Sequence, residues 1–160
     1  MAKFIGNRPL PVAAQIGAMR RLWPDFAMQW KNGVVVWVGR LQPIDLSPEY
    51  TVEIRYRLGD QPHVSVLSPQ LRDRPDQPIP HVYPGKKLCL YFPRAKEWTP
   101  AMPIAEAIIG WASDWLYFYE IWHATGEWLA DGVHPNHKSK RASKDCGVRT
   151  DIPTRLEIPT

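Results

Sequence analysis

HVYPGKKLCLYFP, residues 81–93, holds one of the chain's two cysteines. Cys89 has leucine on either side, Lys86 and Lys87 just before it, and His81 upstream. The thiolate is the reactive form of cysteine, and nearby cations lower a thiol's pKa. A cysteine in an apolar run is also a common core residue. The residues alone therefore leave two readings open, a nucleophile and a buried structural thiol. What flanks the segment bears on the choice.

Upstream, residues 69–85 carry five prolines. Their fixed φ and missing N–H donors forbid a long helix or a central strand, so this reads as an irregular crossing. Before it come four expected strands: 26–31, 34–41, 50–58 and 63–68. Asn32-Gly33 between the first two is a hairpin signal. In the third, Val52, Ile54, Tyr56 and Leu58 alternate with Glu53, Arg55 and Arg57, which predicts one buried face. Short connections predict an antiparallel meander. Ahead of it, Val12, Ile16, Met19 and Trp23 step at helical spacing over 10–23, and Pro24 ends the run.

Downstream, EWTPAMP leads into an expected helix from about Ile104 to Trp122. Its stripe is Ile104, Ile108, Trp111, Trp115, Phe118 and Trp122, and its plain reading is core. Trp98 either packs under the cysteine segment or shields it from water, and packing is the simpler account. A helix, a run of strands, a crossing and a second helix make an α+β domain.

The chain has 160 residues, enough for one domain with a sizeable core. Its net charge is +4, and the residues from His134 onward hold six Lys/Arg against three acids. The rest is nearly neutral, which argues against nucleic acid as a ligand of the body. No apolar stretch is long enough to span a membrane, and no signal peptide is recognisable at the start. A reducing cytoplasm with both cysteines as thiols is the expectation. His134, His137 and Cys146 match zinc-ligand spacing poorly, and no metal or other cofactor is expected.

The order of elements resembles the ubiquitin-conjugating (UBC, E2-like) fold. His81 stands near the family histidine. Gly85 and Leu88-Cys89-Leu90 resemble the catalytic-cysteine segment, and Trp98-Thr-Pro-Ala-Met-Pro-Ile104 resembles the opener of the next helix. More narrowly, His81-x-Tyr83, Leu88-Cys89-Leu90-Tyr91 and the run Trp111, Trp115-Leu116, Tyr119-Glu120, Trp122, Thr125-Gly126, Trp128 are similar to E2-like proteins of bacterial short type II CBASS anti-phage systems. That resemblance implies an E2-like domain over residues 1–130 and a basic tail over 131–160. It implies that Cys89 is the conjugation nucleophile. It also implies a CD-NTase (a cyclic-oligonucleotide synthase) as partner, whose C-terminus is linked to targets with a rise in nucleotide-messenger synthesis.

The departures are local. Val82 and Tyr83 follow His81 where the ubiquitin-system motif has proline and asparagine. The oxyanion donor is then a backbone N–H, the Tyr83 hydroxyl or the His81 ring, and His81 is the candidate base for the incoming amine. The His134-Pro135-Asn136 triplet follows the cysteine instead of preceding it and reads as a turn. Three functions remain in view: a Cys89 acyl-transfer enzyme, an inert E2-variant-like binding module, and a cysteine hydrolase lacking an orienting partner for its histidine.

Overall fold

The computed structural model describes residues 8–92, 95–132 and 148–149. The first helix, α1, is Val12–Leu22. Strands β1 (Ala27–Lys31), β2 (Val34–Leu41), β3 (Tyr50–Arg57) and β4 (His63–Ser68) follow, then two short strands, β5 (Val82–Tyr83) and β6 (Lys87–Leu88). The long helix α2 is Ile104–Thr125, and a separate ladder pairs β7 (Asp131–Gly132) with β8 (Val148–Arg149). The molecule is therefore α+β, with two helices and an antiparallel sheet among the described residues. None of the described helices is long and apolar enough to cross a membrane.

The meander forms as expected, and the sheet then extends beyond it. Its order is β1-β2-β3-β4-β6-β5, so the Pro-rich crossing delivers two more strands to the β4 edge. Each has only two residues, because proline and the positive-φ turn between them leave little backbone in extended geometry.

One sheet face is the core. Val35, Trp37 and Leu41 of β2, and Tyr50, Val52, Ile54 and Tyr56 of β3, are buried. Leu58, expected on that face, is 51% exposed, since β3 ends at Arg57 and the chain turns there. Burying roughly 200 Å² of an indole at ~25 cal/mol per Å² stabilises by up to about 5 kcal/mol. Fully buried Trp37 and Trp115 thus anchor the two halves of the core.

Helix α2 is buried around more of its circumference than one stripe. Ile109, Leu116 and Tyr119 are buried as well as Ile108, Trp115 and Trp122, whereas Trp111 and Phe118 are half-buried. The reason is that the Pro-rich crossing packs on it too. The Tyr119 hydroxyl accepts from Arg72 N–H at 2.9 Å, and Trp122 Nε1 donates to Gln77 Oε1 at 3.1 Å. Gly126 ends the helix in the left-handed region at φ 85°.

Helix α1 contributes a buried polar group that periodicity does not flag. Gln15 is fully buried, donates to Met102 O at 2.9 Å and accepts from Ile104 N–H at 2.9 Å. Its side chain thereby satisfies the first N–H of α2, where Pro103 has no capping oxygen.

Candidate active site

The turn at Pro84-Gly85-Lys86 decides the geometry around Cys89. Gly85 (φ 80°) and Lys86 (φ 56°) take left-handed backbone, which folds β5 back on β6. Val82 then faces Leu88 and Tyr83 faces Lys87. One pair further along, the Cys89 N–H donates to the His81 carbonyl oxygen at 3.0 Å. Of the three residues singled out in the sequence, the hairpin therefore sets Cys89 against His81 and places Tyr83 on β5 opposite Lys87.

His81 is only 3% exposed and has φ 52°. A non-glycine residue in that region costs about 1–3 kcal/mol and persists only where its surroundings over-determine it. Here they do. Trp115 Nε1 donates to the same His81 carbonyl at 3.0 Å. The Trp128 ring lies against the imidazole, with centroids 4.9 Å apart and planes at 37°.

Cys89 is fully buried and disulfide-bonded, and no free cysteine occurs among the described residues. The expectation of a thiol at position 89 is corrected accordingly. Distance along the chain does not decide pairing; approach of the Cα atoms to within about 7 Å does. A sulfur held in a disulfide is not a nucleophile, and reduction restores the thiolate. Cys146, His134, His137 and the His134-Pro135-Asn136 triplet lie outside the described residues. Among the described residues there is no His/Cys/Asp/Glu cluster that would hold a metal ion.

The Lys86 ammonium is engaged elsewhere. Lys86 Nζ donates to Leu71 O at 3.0 Å, which pins the turn to the crossing. Lys87 pairs with Ser65 of β4, and its charge adds to burial in lowering the pKa of His63. Tyr83 is half-buried on β5. Tyr91, two residues past the cysteine, has its phenol pushed up first by burial and then by the Tyr83 phenol. It is thus a neutral hydroxyl at pH 7, buried without a hydrogen-bond partner. Trp98 is 4% exposed and packs against both Tyr56 and Tyr91 at 6.2 Å, the packing role expected of it.

Chemically, the hairpin sets an imidazole-bearing residue opposite a cysteine on adjoining backbone. It also removes one donor: the Cys89 N–H is spent on His81 O and does not point at a reacting oxygen. Sequence reading missed Trp115 and Trp128 as neighbours of His81. The helical stripe explains Trp115 as core, and only the reversal after Gly126 carries Trp128 back to the hairpin.

A family model described as the type II CBASS E2 protein matches residues 15–135. The match covers well over half of the chain, and the chain belongs to that family. Membership implies a role in CBASS anti-phage defence. No curated protein matches the chain.

Proposed function

From membership in the type II CBASS E2 family, we propose that the protein is a cysteine acyl-transfer enzyme of the UBC-fold, E2-like type. Residues 1–130 form its E2-like domain and 131–160 a basic tail. Its partner is the CD-NTase of the system, whose C-terminus it links to targets, raising cyclic-nucleotide signalling. The observation that carries the reading is the pairing of Cys89 with His81 across the β5–β6 hairpin.

Reduced Cys89 attacks the activated carbonyl at the partner's C-terminus. The carbonyl π pair moves to oxygen, then returns to expel the activating group with its bonding pair, leaving a thioester. An amine attacks that thioester, passes its proton to a base, and expels the Cys89 thiolate. Dividing the transfer in this way replaces one hard step by two easier ones. His81 is the base. The Tyr83 hydroxyl is the candidate oxyanion donor, since the Cys89 N–H is already committed.

A second reading is favoured by one observation. Cys89 is fully buried in a disulfide, which suits an inert binding module as well as a masked nucleophile. Phage protection by Cys89→Ala separates the two. The enzyme reading expects protection to be lost while CD-NTase binding persists. Full protection by Cys89→Ala would establish the binding module instead.

A further inference from the structure

Alternation along β3 turns Glu53, Arg55 and Arg57 away from the core, and cross-strand pairing extends that outer face to both sides. One row across the strands is Lys31, Val34, Arg57; the next is Gln29, Val36, Arg55, His63. Two hollows lie along these rows. The larger, about 450 Å³, is lined by Val34, Arg55, Arg57, Asp60, Gln61 and His63 among others. The smaller, about 300 Å³, has Lys31, Val34, Val36 and Arg55 in its lining. Val34 and Arg55 line both, so the hollows adjoin as one trough with an aliphatic floor and basic walls.

The β3–β4 turn at the end of the trough is fixed by backbone bonds. Asp60 N–H donates to Arg57 O at 3.0 Å, and Gly59 N–H donates to the Tyr56 hydroxyl at 3.3 Å. Glu53 pairs with Arg55 at 2.6 Å. Among the described residues no carboxylate pairs with Lys31 or Arg57. These two cations stand on the strands either side of Val34, so their backbones are roughly 10 Å apart. A carboxylate set between them is attracted by both.

We propose that this trough docks an acidic, extended segment of another protein, with an aliphatic side chain on Val34 and Val36 and carboxylates on Lys31 and Arg57. In an extended chain, residues i, i+2 and i+4 share one face and span roughly 14 Å. An acid, an aliphatic and an acid at those positions match a cation, a valine and a cation in one row. Other occupants fit less well. The residues of this chain from His134 onward carry six Lys/Arg against three acids, and the basic walls repel them. Single-stranded nucleic acid favours aromatic platforms, and the nearby Trp30 pairs with buried Val35 on the opposite face of the sheet. The docking site works independently of any acyl transfer at Cys89.

His63 gives the site a reporter. It meets Arg55 from β3, the charge of Lys87 from β6 and Asp60 from the turn, and Arg57 lines the same hollow. Burial and then Lys87 lower its pKa in the free protein, while Asp60 raises it. A docked carboxylate acts in the same direction as Asp60, so the ring titrates at higher pH in the complex.

The test uses the full-length protein and a labelled Glu-Ser-Val-Ser-Glu peptide, followed by fluorescence anisotropy and by NMR titration of His63. Binding should weaken about 10-fold or more between roughly 0.05 and 0.5 M salt. Arg57→Glu and Lys31→Glu should each weaken it by about the same factor. Both side chains are exposed, so the unfolding midpoint should stay where it is. A Lys-Ser-Val-Ser-Lys peptide should not bind, and the His63 titration should move up only with the acidic peptide.

The proposal is overturned if the acidic peptide does not bind, if Arg57→Glu binds it as wild type does, or if the lysine peptide binds equally. Tighter binding of a short single-stranded oligonucleotide, lost in Arg57→Glu, would assign the trough to nucleic acid instead. Self-association of the wild type without peptide, lost in Arg57→Glu, would assign it to a second copy of the chain.

Discussion

Trp115 Nε1 donates to the carbonyl oxygen of His81 at 3.0 Å, and that carbonyl also accepts the N–H of Cys89 at 3.0 Å. The middle of α2 is in this way tied to the hairpin that carries the cysteine. Trp115→Phe keeps an aromatic ring, removes the donor and leaves a void. A loss of about 2–3 kcal/mol is expected, read as a lower urea midpoint at unchanged m-value. A midpoint equal to wild type would show that the bond does not hold His81 in place.

Gln15 is the second tie, between α1 and the start of α2. Gln15→Leu leaves Met102 O and Ile104 N–H buried without the side chain that satisfies them. Destabilisation of about 2–4 kcal/mol is expected by chemical denaturation. Loss of less than 0.5 kcal/mol, typical of a surface site, would contradict the capping role.

Gly39 on β2 has the Phe26 ring where a side chain would stand. Gly39→Ala should destabilise by roughly 1–3 kcal/mol through overpacking. Adding Phe26→Leu should recover part of that loss, because the two positions share one space. Strict additivity of the two changes would deny the contact.

Asp114, half-buried on α2, has its carboxyl pKa raised by burial. A folded-state pKa above the unfolded one means a contribution to stability that is full in acid and lost as pH rises through the folded value. Asp114→Asn removes that loss. The variant should gain on wild type in thermal stability from about pH 4 towards neutrality. Parallel pH profiles would rule out the burial effect.

Much of this was legible in the chain. Asn32-Gly33 and the alternation of Val52, Ile54 and Tyr56 specify the meander, because period-two patterning and turn chemistry act locally. The run Trp98-Thr-Pro-Ala before Ile104 marked the start of α2 correctly. The residues that escaped notice act over long range. Gln15 looks like a solvated helix residue until Ile104 arrives beside it. The pairing of Cys89 with His81 depends on left-handed backbone at both Gly85 and Lys86, and lysine carries no such signal. The disulfide at Cys89 likewise depends on spatial approach, which spacing in sequence does not encode.

The central claim is that reduced Cys89 carries the acyl group. The most direct test is intact mass of the protein incubated under reductant with the activated CD-NTase of its own system. The account predicts a one-to-one adduct that hydroxylamine cleaves, that Cys89→Ala abolishes, and that omission of reductant suppresses because the sulfur is bonded in this structure. No adduct under reducing conditions, or an adduct that persists in Cys89→Ala, would contradict it.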